Sequence, residues 1–365
     1  MTMTKKVLIT GGAGFVGSYL GLDLAKIHPD WQITALDNLK RRGSELNIPR
    51  LKKAGIEFVH GDIRNSEDLD HLEPDLILEC SAEPSVMAGY TSPGYLLQTN
   101  LVGTINCLEL ARKTKADFIF LSTSRVYPIA YLSDLQYVES QSRFELSSNQ
   151  PIVGASEYGI AENFPLDKAR SLYGTTKLAS ELLIAEYADA YQIRTIVDRC
   201  GVLTGPWQMG KVDQGVFALW MANHYFDKAL KYIGYGGTGK QVRDFLHIAD
   251  LLDLIDLQIN RLEEFKGETF NVGGGIKNTL SLLETTQLCQ EITLKKIPIT
   301  PVAENRSGDV PIFITDSRKV ELATGWRPKR DAQTTLQDIY EWIRQYESQL
   351  EMFLLRILAI IIRTI

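Results

Sequence analysis

The chain has 365 residues, 44% of them hydrophobic and 23% charged, with a formal net charge of -6. A slight acidic excess without clustered Lys or Arg excludes a nucleic-acid surface, because phosphate backbones are held by basic patches; the proportions suit a globular enzyme with one large domain and a smaller one. The four cysteines, Cys80, Cys107, Cys200 and Cys289, form no CxxC pair and have no histidine at zinc-ligand spacing, so no metal is expected and the thiols are read as reduced and mostly buried.

From the N-terminus, Lys5 and Lys6 lead straight into the short apolar run Val7-Leu8-Ile9. That run is too short for a signal peptide, and a cytoplasmic protein is expected. Strand-length apolar runs follow at Lys6 to Thr10, Gln32 to Leu36, Glu57 to His60, Leu76 to Glu79 and Phe118 to Ser122. Between them lie stretches with helical spacing, Val16 to Ile27, Ser66 to Leu72 and Tyr95 to Lys113. A further helix, Thr176 to Ala190, precedes a strand at Arg194 to Asp198. Strand and helix in alternation predict a parallel sheet covered on both faces. From about Val202 the rhythm breaks, with Gly and aromatic residues crowding Tyr232 to Gly239, and a last helix is predicted over Ala332 to Gln345. The second half therefore reads as a smaller α+β lobe.

Gly11-Gly12-Ala13-Gly14-Phe15-Val16-Gly17 follows the first strand and opens a helix. Glycines there let the backbone turn sharply and approach a pyrophosphate, whose charge sits against the N–H groups of the helix start. Asp37 ends the second strand, twenty residues past Gly17, where a carboxylate accepts from a ribose 2′-OH and repels a 2′-phosphate. This favours NAD over NADP, although Arg41 and Arg42 stand close by and arginines there can accommodate a phosphate. The plainer alternative for the glycines is an ordinary strand-to-helix turn.

Tyr173 and Lys177 lie four residues apart near a helix start, hence on one face. A phenol with a pKa near 10 is a poor base, and a lysine one turn away makes its phenolate accessible for removing a hydroxyl proton. By itself the pair is a weak signal, because amphipathic helices produce it by chance. The run Ser122-Thr123-Ser124-Arg125 at the end of a strand strengthens it, since ligands of open α/β sheets bind at carboxyl ends. Thr123 can then hydrogen-bond the oxygen that Tyr173 deprotonates; strand-end capping is the alternative for Thr123 and the preferred reading for Ser122 and Ser124.

These residues resemble the extended short-chain dehydrogenases/reductases, and within them the NAD-dependent sugar epimerase/dehydratase group. The resemblance runs from about Lys6 to Trp342 and rests on Gly11 to Gly17, Asp37-Asn38-Leu39, Gly61-Asp62-Ile63-Arg64, Asn100 to Thr104, the Thr123 strand and Tyr173 with Lys177. The segments Asp37 to Gly43, Asp213-Gln214-Gly215, Gly239 to His247 and Phe270 to Gly274 are similar to those of the CDP-paratose (CDP-tyvelose) 2-epimerases. The resemblance implies a Rossmann doubly wound parallel sheet with a smaller α+β C-terminal substrate domain. It assigns residues 1–178, 193–203 and 240–275 to NAD binding, 204–239 and 276–346 to the nucleotide sugar, and 347–365 to an apolar tail.

By the same resemblance Gly11, Gly14, Phe15, Val16 and Gly17 hold the pyrophosphate, and Asp37 and Asn38 the adenosine ribose. Asp62 and Ile63 border the adenine, Asn100 belongs to the cofactor site, and Tyr173 and Lys177 also contact the nicotinamide ribose. Thr123, Gln214 and Arg243 face the nucleotide-diphosphate sugar, Arg243 as a bidentate donor to its diphosphate. An interdomain or surface salt bridge is the plainer alternative for Arg243. Two departures touch the sugar pocket. Glu79-Cys80-Ser81-Ala82 stands where the group often has His-x-Ala-Ala, and Pro128 stands where a glycine commonly follows Val-Tyr. A 4,6-dehydratase is disfavoured because Ser124 and Arg125 occupy the positions of its Asp and Glu; a non-catalytic NAD-binding protein is disfavoured because Tyr173 and Lys177 are both present. The apolar stretch Met352 to Ile365 is too short to span a bilayer; burial at an interface between copies of a homo-oligomer is the favoured reading, with a place on a membrane surface or an atypical terminus as the alternatives.

Overall fold

In the computed structural model, residues 4–210 and 214–351 are described. Seven strands form one sheet: β1 (Lys6–Thr10), β2 (Gln32–Asp37), β3 (Glu57–His60), β4 (Leu76–Glu79), β5 (Asp117–Thr123), β6 (Thr195–Cys200) and β7 (Glu268–Val272). Their order is β7-β6-β5-β4-β1-β2-β3, and the pairs from β5 across to β3 are all parallel. The order reverses between β1 and β4, the switch point at which ligands of open α/β sheets bind. β5 is buried along its whole length, as a central strand covered on both faces must be. Phe118 and Phe120 project from it into a cluster with Leu8, Ile77, Leu108 and Ile184, so alternate residues of neighbouring strands face the same helices.

Three helices frame the site: α1 (Phe15–Ile27), α2 (Gly103–Thr114) and α3 (Leu172–Tyr191). The stretch expected as one helix over Tyr95 to Lys113 is a helical run, Pro93–Leu97, then a π-helical turn at Gln98–Val102, then α2. Ser66 to Leu72 does not form the expected helix. Only Ser66–Asp68 make a 3-10 turn, because the Asp68 carboxylate turns back to accept from the Asp62 N–H at 2.8 Å.

The chain divides into two compact units, 1–126 with 172–199 and 251–270, and 127–171 with 200–250 and 271–365. This partition differs from the one expected, since 127–171 leaves the first unit and the second is not the smaller. The reason lies in long-range bonds that no local pattern reveals. Phe144 N–H donates to the Lys240 carbonyl at 2.9 Å, Ile160 N–H to the Ile314 carbonyl at 2.8 Å, and Arg143 ion-pairs with Glu284 at 2.5 Å. The second unit is α+β, with a four-stranded sheet of Val202–Thr204, Val242–His247, Thr279–Ser281 and Ile312–Phe313. Its helix Leu282–Thr293 opens on a capping box between Ser281 and Glu284, and Ala332–Gln345 is capped by Asp331. The apolar stretch Met352 to Ile365 lies outside the described residues. Among the described residues no helix is long and apolar enough to cross a membrane.

Candidate active site

The glycine loop is shaped by contacts that forbid larger residues. A Cβ on Gly17 would stand 2.3 Å from the Gly11 carbonyl oxygen, and one on Gly12 would stand 2.7 Å from Ala35. Gly11 itself has φ +63°, a left-handed conformation that costs a side-chain-bearing residue energy. The loop delivers the chain to Gly14, which caps α1 without any side chain, so the first N–H groups of Phe15, Val16 and Gly17 keep no intrahelical partner. Gly11 also abuts the Cys80 carbonyl after β4, which sets the loop on the switch point between β1 and β4.

Asp37 serves this loop directly. Its Oδ2 accepts from the Ala13 N–H at 3.1 Å and its Oδ1 from the Leu39 N–H at 2.8 Å. Burial raises the Asp37 carboxyl above its ordinary value, opposed by these backbone donors. Leu39 is held at φ +55°, a strained conformation for leucine. Asn38 reaches across to β3's end and donates to Asp62 at 2.9 Å, while Arg64 clamps Asp62 through Nε and Nη2. Burial works against the Asp62 carboxylate, but the hydrogen bonds from Arg64 and Asn38 outweigh it and hold its pKa down to about 2. Ile63 is buried against Gly103, where a Cβ would meet it at 2.4 Å. Arg42 is exposed, and Arg41 is partly buried.

A second group gathers where α3 crosses β5. Tyr173 and Lys177 are both buried on one face of α3, at 8% and 1% exposure. The Lys177 ammonium donates to the Leu121 carbonyl at 2.9 Å and sits 4.1 Å over the Phe120 ring. Thr123, two residues further along β5, is buried and accepts from the Arg125 N–H at 3.2 Å, so its oxygen also caps the strand end. Ser122 donates instead to Glu181, which is clamped by Arg199, a buried structural network. Asn100 lies in the π-helical turn, a conformation that often marks functional sites. Its amide accepts from the Glu83 N–H at 2.7 Å and donates to Thr176 at 3.3 Å, tying the loop after β4 to α3. The ammonium lies at the carboxyl end of the central strand that carries Thr123, and Tyr173 stands one turn earlier on the same face of α3, a set of groups suited to moving a proton to and from an alcohol oxygen.

Arg243 and Gln214 belong to the second unit. Arg243 Nη2 bonds Asp309 at 2.6 Å and the Val310 carbonyl at 2.7 Å, which fixes the guanidinium plane. Gln214 is partly buried, and its neighbour Asp213 lies outside the described residues. Pro128 is buried and starts the short helix Ile129–Ser133, with φ -65° as its ring requires. Tyr127 before it bonds Asn271 at 2.7 Å.

Sequence reasoning read Glu79 only as a departure in the sugar pocket. It is fully buried, and its carboxylate lies 3.7 Å from the Lys177 ammonium. A signal was available in the sequence: an acid directly after Leu76-Ile77-Leu78 is costly to bury unless it is neutral or has a cation nearby.

The family model described as the NAD dependent epimerase/dehydratase family matches residues 7–273. A CDP-paratose 2-epimerase of Salmonella typhi is 32% identical over 360 residues, covering 92% of this chain and 98% of the relative. A dTDP-glucose 4,6-dehydratase of Salmonella typhimurium is 28% identical over 92% of each chain. Among solved structures, the UDP-glucose 4-epimerase of Thermus thermophilus in complex with NAD superposes with a TM-score of 0.74 at 25% identity, over 93% of this chain and 99% of that one. The glycine cradle, closed to any Cβ, and the Asp37 carboxylate behind it fit the pyrophosphate and ribose of NAD. On both grounds the chain is an enzyme of the NAD dependent epimerase/dehydratase family, with NAD as its cofactor.

Proposed function

We propose that this enzyme is a nucleotide-sugar epimerase that inverts C2 of a CDP-activated deoxyhexose through a transient keto-sugar, with no net redox change. The observation that carries the chemistry is the burial of Tyr173 and Lys177 side by side on α3 at the end of β5. The likeness to a CDP-paratose 2-epimerase over nearly the whole chain supports the choice of substrate. Tyr173 removes the hydroxyl proton as the ring carbon is oxidised, and returns it to the carbonyl oxygen on reduction. Thr123 holds that oxygen within reach, and Lys177 favours the phenolate. NAD held by the glycine loop would supply the hydride acceptor and donor for this oxidation and its reversal, so that no external redox partner is needed.

Gly11, Gly14, Phe15, Val16 and Gly17 hold the pyrophosphate on backbone N–H groups; Asp37 and Asn38 take the adenosine ribose, and Asp62 and Ile63 flank the adenine. Asn100 fixes the loop after β4 against α3 and would belong to the cofactor site there. Arg243 and Gln214 anchor the nucleotide diphosphate while the sugar turns about its phosphate linkage. Elimination of water is disfavoured because Ser124 and Arg125 supply no acid and base beside Thr123. This reading makes the enzyme a cytoplasmic homo-oligomer, which its mass in solution tests.

Incubation with CDP-, UDP-, GDP- and dTDP-sugars without added NAD, followed by NMR of the products, tests the substrate. Inversion at C2 of a CDP-sugar is expected, without accumulated NADH absorbance. Conversion of UDP- or dTDP-sugars alone, or inversion only at C4, overturns the substrate reading while leaving the family intact.

A further inference from the structure

Glu79 ends β4 at the centre of the sheet, in register with Thr10 of β1 and Phe120 of β5. It is 0% exposed, and its carboxylate is approached by the Thr10 hydroxyl, the Ser81 N–H and the Lys177 ammonium. The ammonium stands at 3.7 Å, itself seated on the Leu121 carbonyl and the Phe120 ring. A hydrophobic residue would pack here at less cost, since desolvating a carboxylate is expensive and an ion pair seldom repays it.

We propose that Glu79 is a positioning residue for the proton-transfer pair: its carboxylate draws the Lys177 ammonium toward β4 and offsets part of the charge with which that ammonium acts on Tyr173. The proposal rests on the reading of Tyr173 and Lys177 as the proton-transfer pair. Two states of the buried pair compete. With Glu79 ionised each charge has the other as a partner, whereas a neutral Glu79 would leave the ammonium only the Leu121 carbonyl and the Phe120 ring. Burial raises the Glu79 carboxyl above its ordinary value, and the Lys177 charge opposes that rise. The other titratable groups facing it are Cys107 of α2 and Cys80 beside it, both pushed up by burial and by the Glu79 charge, so they remain neutral thiols. Lys177 is therefore the charge that Glu79 governs.

The consequence has a sign. With the carboxylate gone, the ammonium acts on the phenol undiminished, and the Tyr173 phenolate forms at lower pH. In Glu79→Gln the acid limb of the kcat/KM profile should move down by about one pH unit, the size expected for a unit charge removed within about 10 Å at an effective dielectric near 20. Direct titration of the Tyr173 phenolate by difference absorbance, with Tyr173→Phe as the blank, should move the same way and needs no turnover. Glu79→His repeats the test with a residue the family often carries at this position, should the glutamine variant fold poorly. An unmoved or upward-moved limb and phenolate titration in the folded variants overturns the proposal. If Tyr173→Phe and Lys177→Met retain turnover, the pair reading fails instead.

Discussion

The two halves of the sheet's carboxyl edge are built on opposite principles. At β2 and β3, Asp37, Asn38 and Asp62 are interlocked, each carboxylate supplied with backbone N–H groups or a guanidinium. At β4 and β5, Glu79 and Lys177 are sealed from water with few partners beyond each other. The first arrangement spends its hydrogen bonds on holding a shape, which a cofactor-binding surface needs. The second leaves charge incompletely compensated in a low-dielectric place, where it acts strongly on a neighbouring phenol. Binding and chemistry thus occupy the same edge but depend on different kinds of interaction, and substitutions should separate them.

The largest separation is expected from Tyr173→Phe. It should lower turnover by roughly a thousandfold, within the range of general acid–base contributions, while the NAD released from denatured protein stays at parent level. Activity within about tenfold of the parent removes Tyr173 from the mechanism. Gly17→Ala should do the reverse. A Cβ 2.3 Å from the Gly11 carbonyl forces the loop open, so copurifying NAD should be lost, and a full NAD complement would show that the cradle is not the binding surface.

A change of intermediate size is expected at Asp37→Ala. It removes the acceptor for the Ala13 and Leu39 N–H groups as well as the charge opposed to a 2′-phosphate. NAD affinity should fall about tenfold and discrimination against NADP should narrow, measured by titration of the apo protein. If the parent already prefers NADP, Arg41 or Arg42 dominates Asp37.

The smallest functional effect, with a clear effect on stability, is expected deeper in the sheet at Asp198. This buried carboxyl on β6 accepts from Gln258 at 2.9 Å, and burial raises its pKa from 3.8 to about 7. Between those values the unfolded chain sheds the proton that the folded chain keeps, so stability falls as pH rises from about 4 to 7 and then levels off. Asp198→Asn removes this dependence and should be more stable than the parent at pH 8, by at most roughly 4 kcal/mol, and no more stable at pH 4. Melting temperatures at the two pH values give the comparison, and equal pH slopes in both proteins would refute it.

Much of this edge is legible in the linear chain because its cues are local. Gly11 to Gly17 stand between an apolar run and a helix, Asp37 ends the next run, and Tyr173 precedes Lys177 by one helical turn. Six of the seven strands fall where period and apolar runs place them, within a residue or two. Such features depend on backbone geometry over fewer than twenty residues, so residue types and spacing suffice. Ser66 to Leu72 misled the same reasoning because Asp68 bonds to Asp62 rather than to its own helix.

What the tertiary structure alone decided are the pairings between residues distant in sequence. The extent of the second unit follows from segment 127–171 bonding to Lys240, Glu284 and Ile314. Arg243, read as free for a diphosphate, is oriented by Asp309, sixty-six residues away. Glu79 and Lys177 lie nearly a hundred positions apart, and only the parallel register of β1, β4 and β5 under α3 brings them together. A sequence specifies local conformation residue by residue, whereas which charges share a buried volume depends on how strands are ordered and helices laid over them, and that is settled when the core packs.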